Sequence, residues 1–217
     1  MRLFLASQDF GNHVDRLKEL VGDNNKVLLI QNTKDYYDHA GRDESTAHWI
    51  SLFRQNGFEP TELDLRKYFG NDKLKSFIDG FRPGLIYVTG GNTFILRRAM
   101  RQSGLDDILL HDLQNDKYVY GGCSAGSIVM ISSLESEKAS DDDPGLVPPQ
   151  YKPEILWDGL GAINEKIIPH ADANWYSESA QRKKEYFDER GWDYTVLNDS
   201  DVLVIDGDKK EVLRWEF

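Results

Sequence analysis

Short apolar runs alternate along this chain with stretches whose large apolar residues recur every three or four positions. Residues 2–7 (RLFLAS) and 26–31 (KVLLIQ) are almost continuously apolar and bounded by polar residues, which is the pattern of buried strands. Residues 59–65 form a third, weaker candidate. Residues 85–89 (LIYVT) run into Gly90-Gly91, and residues 118–121 (YVYG) run into Gly122. Between these runs the period changes. Trp49, Leu52 and Phe53 recur at helical spacing within residues 45–55, and Phe94, Leu96 and Met100 do roughly the same within 93–102. Residues 106–114 (DDILLHDLQ) predict one more helix. Strands and helices alternating through short connections imply an α/β chain with a mostly parallel sheet covered on both faces.

The second half keeps this logic after one interruption. Residues 132–153 are polar, with Asp141-Asp142-Asp143-Pro144-Gly145 and Pro148-Pro149, and predict a long loop, of the kind that in compact domains is functional or mobile. Residues 165–169 read as a strand leading to His170. Residues 177–190 read as a charged helix closed by Gly191, and 194–197 as a further strand. Residues 202–206 and 211–215, joined across Gly207, predict a C-terminal hairpin. With no repeat, low-complexity tract or linker, residues 1–217 are expected to form one domain.

Composition narrows the partners. The 217 residues carry 26 Lys and Arg against 37 Asp and Glu, a net charge of −11. A chain this acidic repels nucleic-acid phosphates and anionic membranes, so neither is an expected partner. A single cysteine, Cys123, leaves no internal disulfide and no multi-thiolate metal site. The apolar start (MRLFLAS) is too short for a signal peptide, and no segment reaches the length of a membrane span. A cytoplasmic protein, monomeric or homodimeric, is the expectation.

Candidate chemistry centres on Gly122-Cys123-Ser124-Ala125-Gly126, which directly follows a predicted strand. This is the G-x-S-x-G pattern of a nucleophile elbow, where a sharp strand-to-helix turn lifts a serine above the sheet. The Ala125 amide would then face the reacting carbonyl as an oxyanion donor. Gly90-Gly91-Asn92-Thr93 is a second glycine turn after a second strand. The Gly91 amide could be the other oxyanion donor, while Asn92 or Thr93 could cap the following helix. G-x-G-x-x-G, the P-loop pattern, H-E-x-x-H and calcium-loop spacing are all missing, so neither cofactor nor metal is expected. A serine nucleophile needs a base. Of the five histidines, His39 and His48 lie in polar stretches, His13 in an early loop and His111 on a helix. His170 ends a strand behind Pro169, which favours it as the base. Cys123 precedes the elbow position and reads as a small buried hydrophobe.

Taken in order, Gly90-Gly91-Asn92-Thr93-Phe94, Gly122-x-Ser124-Ala125-Gly126 and Pro169-His170 resemble the S51 serine peptidases, which include aspartyl dipeptidase (dipeptidase E) and cyanophycinase. The resemblance implies a three-layer, doubly wound sheet of the class I glutamine amidotransferase-like, flavodoxin-like kind. It implies Ser124 as nucleophile, His170 as base, and Gly91 and Ala125 as oxyanion donors acting on a small peptide. For the triad acid it points first to Asp201 in Asn198-Asp199-Ser200-Asp201, and second to Asp142 in the loop after the elbow. Asn92 and Arg182 are the candidate substrate-binding residues. Asp172, close to His170 in sequence, would repel an acidic substrate side chain. The alternatives are a non-catalytic small-molecule binding or regulatory protein of the same fold, and an amidase acting on a non-peptide amide.

Overall fold

The central strands bury side chains on both faces, so each strand feeds two separate cores. In the computed structural model, which describes residues 1–215, the strands are β1 (Arg2–Ala6), β2 (Lys26–Ile30), β3 (Glu59–Glu62), β4 (Leu85–Val88), β5 (Val119–Cys123), β6 (Ile167–Ile168), β7 (Thr195–Val196), β8 (Val202–Asp206) and β9 (Lys209–Leu213). The helices are α1 (Val14–Val21), α2 (His39–Gln55), α3 (Lys73–Phe81), α4 (Thr93–Ser103), α5 (Leu105–Gln114), α6 (Ala125–Ile128) and α7 (Ser177–Asp188). Leu3, Leu5, Leu28, Ile30, Ile86 and Val88 pack under α3, α4, α5 and α6. Their alternates Phe4, Ala6, Val27, Leu29 and Tyr87 pack under α1 and α2. The result is a three-layer sandwich.

The main sheet has seven strands in the order β3-β2-β4-β5-β1-β8-β9. Its first five are parallel, so β1, β4 and β5 end side by side, with Ala6 opposite Cys123 and Val88 opposite Gly122. β8 is antiparallel to β1 and starts at that same end, Val202 opposite Ala6. The residues just before β8 therefore arrive where the parallel strands finish. β8 and β9 form the expected hairpin around Gly207. β6 and β7 pair in a separate two-stranded sheet beside α7.

Two elements outrun the sequence pattern. α2 begins at His39, not near residue 45, because the Asp38 carboxylate caps it by accepting the Gly41 N–H at 2.8 Å. The expected loop at 132–153 extends to 166, with a short 3-10 turn at Glu135–Ala139 as its only helical part. Buried Arg98 on α4 anchors this segment. Its guanidinium donates to the carbonyls of Glu154 (2.8 Å), Pro144 (2.7 Å), Leu146 (3.4 Å) and Pro153 (3.4 Å). Arg97 holds the Asp158 carbonyl at 2.7 Å.

Candidate active site

β5 leaves the sheet at Cys123, and the chain turns sharply into α6 through Ser124. Ser124 has φ 50° and ψ −116°, a backbone that L residues rarely adopt. The surroundings enforce it. The Ser124 N–H donates to the carbonyls of Ser7 (3.0 Å) and Ala6 (3.2 Å). Ser127 Oγ donates to Ala6 O at 2.8 Å and lies 2.9 Å from Gly122 O. A Cβ on Gly122 would lie 2.6 Å from the Gly126 backbone, so the turn can be this tight only without one. Cys123 faces the opposite core, buried, and burial pushes its thiol up to about 12. It is no thiolate nucleophile at neutral pH.

The turn after β4 lies alongside. Gly91 has φ +143°, and a Cβ there would lie 2.7 Å from Thr33 O. Thr33 fixes this turn: its hydroxyl donates to Gly90 O at 2.8 Å, and its carbonyl accepts the Asn92 N–H at 3.0 Å. Among the described residues, no hydrogen bond takes up the Gly91 or the Ala125 amide, and both remain available to an incoming oxyanion.

His170 follows β6 with φ 58°, its N–H held by Ser7 Oγ at 2.7 Å. Its Nδ1 lies 2.5 Å from Asp199 Oδ1, and Asp199 also lies 3.4 Å from Ser7 Oγ. Burial pulls the imidazole below its ordinary pKa, with Asp199 opposing and the buried Lys183 ammonium adding to the depression. The ring is therefore neutral at pH 7, with one nitrogen engaged by a carboxylate and the other free to take a proton. No hydrogen bond joins His170 to Ser124 Oγ among the described residues. Both line one cavity of about 680 Å³, with Gly91, Asp9, Trp175 and Tyr36 also on its wall.

Several expected contacts are not made. The carboxylate on His170 is Asp199, not Asp201. Asp201 is folded back within the turn before β8, where it accepts the Asn198 N–H at 3.0 Å and pairs with Arg214 at 2.8 Å. Asp142 reaches the cavity but caps α4, accepting the Thr93 N–H at 2.8 Å, and burial raises its pKa. Asn92 is not free to bind substrate: its Oδ1 caps Ile95 N at 2.9 Å and its Nδ2 donates to Asp143 O at 3.2 Å. Arg182 turns away to Ala139 O and Asp141. The neighbouring Lys183 is the buried cation, 2.6 Å from Glu137 on the cavity wall. The sequence had offered Asp199 only as part of an acidic run. Ser7, Asp9 and Lys183 carried no motif at all.

The model of peptidase family S51 matches residues 3–213. An uncharacterized peptidase of Pasteurella multocida is 26% identical over 192 residues, 83% of this chain and 82% of its own. An uncharacterized peptidase of Listeria monocytogenes is 24% identical over 119 residues, 55% of each chain, so the match spans about half of that relative. In Listeria innocua another uncharacterized peptidase is 29% identical over 85 residues, 39% of this chain and 38% of its own. Among solved structures, a candidate peptidase E from Listeria monocytogenes EGD-e superposes with a TM-score of 0.74 at 20% identity, covering 99% of this chain and 98% of that one. A peptidase from an acI-B1 actinobacterium gives 0.68 at 17% identity, covering 98% and 86%. At these identities the two structures speak for the fold.

Proposed function

This chain belongs to peptidase family S51, and from that premise we propose that it is a serine-type peptidase that hydrolyses small peptides with Ser124, His170 and Asp199. The carrying observation is the strained Ser124, set in one cavity with a neutral His170 whose far nitrogen is engaged by Asp199. Ser124 Oγ attacks the scissile carbonyl while His170 Nε2 takes its proton. The negative oxygen of the tetrahedral intermediate is received by the Gly91 and Ala125 amides. His170 then protonates the leaving amine, and the C–N bond breaks. Water, deprotonated by the same nitrogen, releases the acyl group from Ser124. Asp199 holds the tautomer that leaves Nε2 unprotonated and stabilises the imidazolium as it forms. The missing Ser124–His170 hydrogen bond is consistent with this scheme, since such contacts tighten on substrate binding.

A fluorophosphonate should label wild-type protein at Ser124. Ser124→Ala should lose both labelling and hydrolysis across a dipeptide panel. Full hydrolysis by Ser124→Ala would overturn the mechanism. Neither labelling nor turnover by wild-type protein would favour a binding protein of the same fold.

A further inference from the structure

Asp9 is a charged side chain of the cavity that the proposed chemistry leaves unused. The chain pins it in place beyond β1: its backbone is left-handed at φ 46°, and its carbonyl accepts the Tyr87 hydroxyl. Yet its carboxylate takes no hydrogen bond or ion pair among the described residues. Burial raises its pKa, with nearby His48 and Lys34 partly offsetting this. The other acids on the wall are engaged. Glu137 pairs with Lys183, and Asp142 caps Thr93. Two of the cations that an acidic substrate would need are committed too. Lys183 is neutralised by Glu137 and Arg182 points to Asp141, while Lys34, also on the wall, donates to Ser45 Oγ at 2.7 Å and keeps its charge near Asp9. A half-buried carboxylate without a partner carries a desolvation cost that an incoming cation would relieve.

We propose that Asp9 is the subsite for a positively charged group on the substrate, so that this cavity takes cationic rather than acidic peptides. The cation can be the ammonium of a free N-terminal residue or the side chain of a lysine or arginine. The proposal rests on the reading of the cavity as the substrate site. Asp9 binds and selects, and takes no part in proton transfer.

Binding to Ser124→Ala, measured by calorimetry, separates recognition from turnover. The probes are the peptides Lys-Ala, Ala-Ala and Asp-Ala, N-acetylated Lys-Ala, and N-acetyl-alanine amide, which carries no charge. Lys-Ala should bind most tightly and Asp-Ala least. Adding Asp9→Asn should weaken the cationic peptides roughly tenfold to a hundredfold, as expected for a charge-assisted contact, and leave the uncharged amide unchanged. If N-acetylated Lys-Ala keeps its dependence on Asp9, the side chain is the source of the cation. If acetylation abolishes it, the source is the N-terminal ammonium. Asparagine tolerates the left-handed backbone at position 9, and an unchanged melting temperature verifies that the variant is folded. Asp-Ala binding as tightly as Lys-Ala, no binding by any cationic peptide, or affinities indifferent to Asp9→Asn would each overturn the proposal. Fluorophosphonate labelling distinguishes the two readings. Normal labelling with affinities indifferent to Asp9 removes the subsite and spares the nucleophile; binding that depends on Asp9 without labelling does the reverse.

Discussion

At His170 burial and Asp199 pull in opposite directions, and burial wins. With its folded pKa below the ordinary value of about 6.5, the imidazole stays unprotonated in the native state at pH values where the unfolded chain already takes up a proton. Its contribution to stability is full above about 6.5 and declines as pH falls toward the folded value. The acid limb of kcat/KM for the free enzyme therefore lies below about 6.5. Asp199→Asn removes the charge that favours imidazolium, so it should move that limb lower still and cut turnover by about 10⁴-fold. Asp201→Asn should leave the pH profile in place and cost about 1 kcal/mol of stability through the Arg214 pair. A pH–rate series and thermal melts on both variants check this. Equal effects of the two on turnover would remove Asp199 from its role. Both carboxylates sit in one four-residue run, and a motif cannot reveal which one a turn folds back. Ser124 and His170 were legible because glycine spacing and a strand end leave marks in sequence. Asp199 becomes visible only through a contact 29 positions away.

Elements show the same division. The strands that end at the site were readable as apolar runs, since strands buried on both faces need continuous hydrophobicity. α1 and α3 lie outside the elements that the sequence pattern predicts. Their apolar residues do recur at helical spacing, but His13 before α1 is no cap residue, and Asp72 before α3, though of cap type, makes no side-chain cap hydrogen bond. α4 was predicted, but not its double duty. Its N-terminus supports the glycine turn at the cavity, and about a turn and a half further Arg98 gathers four carbonyls of the segment after the elbow. Arg98→Ala should loosen residues 144–154 without moving Ser124. Amide exchange in that segment should rise roughly tenfold or more, while fluorophosphonate labelling persists. Unchanged exchange would mean that other contacts hold the segment.

On the scale of the whole molecule, strand order gathers the candidate site at one end of the central strands. Parallel β1, β4 and β5 deliver Ser7, Gly91 and Ser124 to a common end, and antiparallel β8 brings in Asp199 from the opposite direction. The net charge of −11 is spread over the chain, whereas the cavity presents one unpaired carboxylate. The whole molecule also bears the cost of the elbow. A serine at φ 50° and ψ −116° occupies backbone space suited to glycine, a strain of about 1–3 kcal/mol. Ser124→Gly relieves it, partly offset by the greater freedom glycine gives the unfolded chain. A net gain of about 1 kcal/mol would raise Tm by about 2–4 °C in a chain of this size. Calorimetry should find this variant, which lacks the proposed nucleophile, more heat-resistant than the wild type, and a lower Tm would show that the elbow is relaxed. Screening libraries of this protein for thermal robustness alone would thus enrich the very substitution that removes its proposed nucleophile.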